Sequence, residues 1–147
     1  MLQATVKQAD GYLFVGRSNS GHWVPMDGST KIGALDGAAR PKELLLLALG
    51  GCTAFDVEMV LKKRRVQAAT FEVLLEADEV DETPMVFSQI RVTYRFTGEI
   101  AVAELERAIK LSEEKYCSVS AMMRKAVPIS WTAELNGEQV LTDEGRA

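Results

Sequence analysis

From Leu44 to Cys52 the chain is apolar on nearly every side of a helix, and this constrains the fold more than any other feature. A surface helix carries one apolar stripe, whereas a helix greasy all round must be buried on several sides. Pro41 opens it, since proline in a first turn lacks only an N–H that has no helical partner. Glu43 lies in the same turn, at the positive end of the dipole, and the spacing predicts a helix to about Arg65. Asp56 and Glu58 interrupt the run before it spans a bilayer. A single chain of 147 residues has little core for so apolar a helix. Two copies sharing a core would bury it better, so a homodimer is expected. Lys62-Lys63-Arg64-Arg65 then reads as cations at the negative end of that helix.

Around this helix the chain alternates in blocks. Residues 3–7 and 12–17 read as strands flanking Asp10-Gly11, a strong hairpin signal. A third strand covers 22–26, and residues 29–39 read as a Gly- and Asp-rich loop that could line a site. Residues 70–78 and 86–97 alternate as strands, with Ile90, Val92, Tyr94 and Phe96 on one face. Residues 101–112 form an amphipathic helix, and 116–125 a second helical piece ended by Pro128. Residues 129–135 make a last strand before Asn136-Gly137, and the tail from Thr142 is polar and frayed. The order β-β-β-α-β-β-α-α-β predicts one α+β domain over 1–147 with mainly antiparallel sheet.

The net charge of −4 argues against nucleic acid as a partner, because phosphate binding needs a basic face. No secretory h-region opens the chain, and a cytoplasmic protein is expected, where disulfides are transient rather than structural. The single histidine, His22, cannot build a multi-histidine metal site, and no close ligand spacing joins it to the cysteines. No metal or other cofactor is expected. His22 reads either as a hairpin histidine or as the base of a Cys-His acyl transferase.

Two cysteines remain, too few for a disulfide scaffold or a four-cysteine zinc site. Cys52 lies mid-helix after Gly50-Gly51, a pair that costs about 1 kcal/mol per residue relative to alanine. Either close packing or room beside the thiol explains them. Cys117 lies at a helix start, where the dipole favours a thiolate. Buried cysteines often only fill space, so a redox couple and inert core positions both stay open.

The segment Pro41-Lys42-Glu43-Leu44-Leu45-Leu46-Leu47-Ala48-Leu49-Gly50-Gly51-Cys52-Thr53-Ala54-Phe55-Asp56-Val57 resembles the cysteine helix of the OsmC/Ohr family. Glu114-Lys115-Tyr116-Cys117-Ser118-Val119-Ser120 is similar to that family's second cysteine motif, and the element order agrees. Gly21-His22, Met26-Asp27-Gly28 and the Ala-x-Gly-Gly-Cys form look most like its YhfA-type branch. The resemblance implies an intertwined homodimer that reduces organic hydroperoxides. Cys52 would attack, Cys117 would resolve, and a dithiol reductant would restore both. It also implies a thiolate-activating arginine held by a helix-start glutamate. Lys42 occupies that glutamate's position and Glu43 follows it, turned by about 100° on the helix. Arg17 and Arg40 are the candidate arginines. The alternatives are a non-catalytic protein that binds a small ligand or senses redox state, and acyl transfer through His22.

Overall fold

The computed structural model describes residues 1–143 and the backbone of residues 145 and 146. The chain divides into two compact units, residues 1–47 and 48–147.

The first unit holds β1 (Ala4–Asp10), β2 (Leu13–Ser18) and β3 (Trp23–Met26) in one antiparallel sheet. Gly11 takes a positive φ of 49° at the first hairpin, as the Asp-Gly signal requires. Arg17 faces Trp23 in the register of β2 and β3. The loop after β3 is organised by Asp27, which is buried. Its carboxylate accepts N–H bonds from Gly28 at 2.7 Å and Gly37 at 2.9 Å, and its own N–H donates to Ala39 at 3.2 Å. One side chain thus closes the loop that leads into the long helix.

The two N–H donors, Gly37 first, hold the Asp27 carboxyl below its usual range. A carboxyl with a lowered folded value stabilises the fold above its unfolded value of 3.8, and that stabilisation is lost as pH falls below it. Asp27→Asn is therefore expected to lower the urea midpoint at neutral pH and to narrow its gap from wild type in acid. Paired urea melts on either side of that window check this. A gap that does not change with pH would contradict it.

The long helix, α1 (Pro41–Lys63), begins in the first unit. The Arg40 N–H donates to Glu43 Oε2 at 2.9 Å, the reciprocal half of a capping box, in which the third helical residue reaches back to the cap. The helix continues into the second unit, where Leu49, Val57 and Leu61 are fully buried. By length and composition α1 is apolar enough to cross a membrane, so Asp56 and Glu58 do not exclude a span as the sequence suggested. One face of it is sealed in the protein, Thr53 as well as the three apolar residues, while Leu45, Leu47 and Phe55 are exposed. The paired glycines divide their roles. A Cβ on Gly50 would come 2.5 Å from Leu75 Cδ1, so this glycine lets the helix approach the sheet, while the space around Gly51 is open. The basic run ends the helix as expected: Arg64 makes a two-pronged ion pair with Glu104 at 2.7 and 2.8 Å.

The second unit adds β4 (Thr70–Glu79), β5 (Phe87–Thr97), α2 (Val102–Leu111), α3 (Ser118–Met123), β6 (Ile129–Leu135), β7 (Glu138–Thr142) and β8 (Gly145–Arg146). The sheet order is β4-β5-β6-β7-β8. Ile90, Val92, Tyr94 and Phe96 of β5 are all buried, as the alternation predicts. The architecture is α+β as expected, with one parallel pair, β5 with β6, in an otherwise antiparallel sheet. Two local readings are corrected. Strand β6 is not the last, because Asn136 and Gly137 take positive φ values of 53° and 87° and turn the chain into β7. Between α2 and α3 a π turn, Ser112–Tyr116, replaces helix, so the second helical piece is shorter than 116–125.

Candidate active site

The π turn and the start of α3 bring the second cysteine to the first. The N–H of Cys117 donates to Ser112 O at 2.9 Å, the i→i+5 bond that closes the turn. Cys117 then caps α3, its sulfur accepting from the Ser120 N–H at 3.4 Å. On α1, Cys52 and Asp56 share a face because they are four residues apart. The sulfurs of Cys52 and Cys117 and a carboxylate oxygen of Asp56 all lie within 4.8 Å of one another. Both cysteines are free thiols, Cys52 half-buried and Cys117 buried.

Capping was expected to favour a Cys117 thiolate. Burial outweighs it: desolvation, first, and the neighbouring Cys52 and Asp56 push the Cys117 thiol up to about 12, against the lowering by the Ser120 N–H. Partial burial also raises the Asp56 carboxyl above its ordinary value, against a smaller lowering by Ser112. Two sulfurs and one carboxylate are one ligand short of a closed structural zinc site. As a neighbouring thiol pair the arrangement is suited to making and breaking a disulfide.

A polar network continues behind the thiols. Thr53 Oγ1 lies 2.5 Å from Tyr94 Oη and 2.8 Å from Ser112 Oγ. Tyr94 Oη lies 2.5 Å from Glu113 Oε1, and Ser112 Oγ lies 3.4 Å from Asp56 Oδ2. Arg124 pairs with Glu113 and donates to Ser120 Oγ at 3.1 Å and Ile129 O at 2.6 Å. Glu113 is sealed, its side chain only 5% exposed. Burial, together with the Glu113 carboxylate, drives the Tyr94 phenol far above its ordinary value, so it stays a neutral hydroxyl.

The other residues singled out in the sequence lie in the first unit. Arg17 donates to Gly21 O at 3.1 Å and its guanidinium stands 5.6 Å from the Trp23 ring centroid. Glu43 pairs with Arg40 at 3.7 Å, and Arg40 also meets Asp36 at 3.1 Å. Glu43 therefore caps the helix and holds Arg40. His22 is exposed just ahead of β3. The sequence reading missed Asp56 as a partner of the thiols, although its spacing of four from Cys52 was visible. It also missed Thr53, Ser112 and Glu113, for which no local signal exists.

Residues 34–132 match the family model described as OsmC-like protein. The chain is 41% identical to protein YhfA of Escherichia coli K12 over 135 residues, 91% of this chain and 98% of that one. A hypothetical protein of Aquifex aeolicus VF5 superposes with a TM-score of 0.77 at 27% identity, covering 92% of this chain and 98% of its own. An organic hydroperoxide resistance protein of Elizabethkingia anophelis shares the fold, with a TM-score of 0.71 at 16% identity over 92% and 96% of the two chains. The matched segment carries both cysteines, and the identity to YhfA runs over most of both chains: the chain belongs to the OsmC-like protein family.

Proposed function

We propose that this protein is a thiol-dependent peroxidase that reduces organic hydroperoxides and works as a cytoplasmic homodimer. The observation that carries the reading is the approach of the Cys52 and Cys117 sulfurs to within 4.8 Å. A sulfenic acid condenses with a nearby thiol to a disulfide, and Cys117 offers one to Cys52 within the same chain. The name of the Elizabethkingia protein, organic hydroperoxide resistance protein, supports the substrate class.

The order of attack follows from the surroundings of the two thiols. Cys52 is half-buried and accessible, while Cys117 is buried and its thiol is held up at about 12. Cys52 therefore attacks the O–O bond, an alcohol leaves, and Cys52 becomes a sulfenic acid. Cys117 then displaces the sulfenic oxygen as water and forms the disulfide, which a dithiol reductant opens by exchange. The cycle uses no metal, haem or flavin. The test is consumption of a simple alkyl hydroperoxide by the reduced protein with a dithiol as regenerant. Consumption no faster than with the dithiol alone would overturn the reading.

A second reading has one specific support. The side chain that α1 sets beside Cys52 is an acid, Asp56, and not the arginine that the family resemblance implies for activating the thiol. A slow redox sensor would fit that environment. It would oxidise once with peroxide and would not turn over.

A further inference from the structure

We propose that Asp56 and Glu113 share one proton along a chain of three hydroxyls, and that Asp56 uses it to convert a Cys52 sulfenic acid into the Cys52–Cys117 disulfide. The second half rests on the peroxidase reading; the first does not.

The argument is a count of hydrogens. Between the two carboxyls run four links: Asp56 to Ser112, Ser112 to Thr53, Thr53 to Tyr94 and Tyr94 to Glu113, at 3.4, 2.8, 2.5 and 2.5 Å. Each link needs one hydrogen, and a hydroxyl carries only one. Ser112, Thr53 and Tyr94 supply three. If Tyr94 donates to Glu113 and Ser112 to Asp56, Thr53 is left with one hydrogen for two acceptors. With all four links filled from within the protein, the fourth hydrogen comes from a carboxyl. Glu113 is paired with Arg124 and accepts from Ser120 Oγ at 3.3 Å, so both of its oxygens already serve as acceptors. The proposal places the proton on Asp56, which reverses the Ser112-to-Asp56 sense of an ionised carboxylate, and every donor then points one way, from Asp56 through Ser112, Thr53 and Tyr94 to Glu113.

The same carboxyl lies within 4.8 Å of both sulfurs, close enough to reach an oxygen on Cys52 directly or through one water. The charged and titratable groups around it are Cys52 on α1, Tyr94 on β5, Glu113 in the π turn, Cys117 at the cap and Arg124 after α3. In the resolving step the S–S bond forms as the S–O bond of the sulfenic acid breaks, its electron pair leaving with oxygen. Asp56 gives its proton to that oxygen, which departs as water, and takes the Cys117 proton in return. Asp56 ends as it began, so Cys117 never has to exist as a free thiolate in a site that disfavours one. The raised position of the Asp56 carboxyl agrees with this arrangement.

Two experiments test the proposal. Infrared spectra of the reduced protein at neutral pH are expected to show a protonated carboxyl C=O band that Asp56→Asn removes. Tyr94→Phe leaves two links and two hydroxyl hydrogens, so the band should fade as Asp56 ionises. A role in packing alone would not produce that response. In the second, a stoichiometric pulse of hypochlorous acid makes the sulfenic acid without any peroxidase activity, and dimedone trapping follows its lifetime. Asp56→Asn is expected to lengthen that lifetime at least tenfold, roughly the lower range of acid–base effects, and Asp56→Glu to restore part of the rate. A spectrum without the band, or equal lifetimes in wild type and Asp56→Asn, would overturn the proposal. A hydroperoxide that fails to oxidise Cys52 would overturn only the peroxidase reading, because the hypochlorous acid pulse still reports the resolving step.

Discussion

Cys52→Ser is expected to abolish hydroperoxide turnover, a loss on the order of 10³-fold or more, as removal of a nucleophile generally is. A serine hydroxyl at this position is a poor nucleophile toward oxygen, and nothing in the network is placed to ionise it. Cys117→Ser should behave differently. Its first turnover should proceed, because Cys52 does the attacking, and the protein should then stop as a sulfenic acid that dimedone can trap. Single-turnover and multiple-turnover rates, measured side by side, separate the two roles. Equal loss in the first turnover for both variants would contradict the assigned order. Full turnover in Cys52→Ser would remove Cys52 from the chemistry.

Phe55→Asp is expected to dissociate the proposed homodimer. Phe55 projects from α1 at 81% exposure, beside a recess lined by Gly51, Ala54, Glu58 and Phe71. Met59 on the same helix and Leu74 on β4 are also exposed. So much apolar surface on a central helix calls for a cover, and a second copy of the same surface supplies one. In a two-fold dimer each substitution acts twice. At about 2 kcal/mol for each buried aromatic anchor, the variant dimer should be on the order of 10³-fold weaker. Sedimentation of wild type and variant across a concentration series checks this. A wild type that sediments as a monomer at every concentration would contradict the dimer.

Much of the fold could be read from the chain because it is written locally. Pro41 and Glu43 mark the helix start, Asp10-Gly11 marks the first hairpin, and the alternation from Ile90 to Phe96 marks the buried face of β5. Strand β7 was also legible, since Asn136-Gly137 is a hairpin signal of the same kind, but the polar tail concealed it. The parallel pairing of β5 with β6 was not legible. It joins residues such as Val92 and Trp131 across two intervening helices, and no local pattern encodes it.

The site divides along the same line. The cysteine motifs were visible, and the structure brings their sulfurs together. The hydroxyl chain was not visible, because its members come from α1, β5 and the π turn. Tyr94 was placed on one face of its strand by the alternation, but its Oη, turned toward Glu113, carries the consequence for chemistry. Asp56 was seen only as a charge in an apolar run. Its meaning appeared once α1 was a real helix with Cys52 one turn away.

The central claim is that Cys52 and Cys117 form one redox couple within one chain. The most direct measurement is mass spectrometry of the reduced protein after one equivalent of an alkyl hydroperoxide, under non-reducing conditions. The account predicts a peptide pair joined by a Cys52–Cys117 disulfide, formed at a rate independent of protein concentration. Cysteines found only as free thiols, sulfonic acids or cross-links between chains would contradict it.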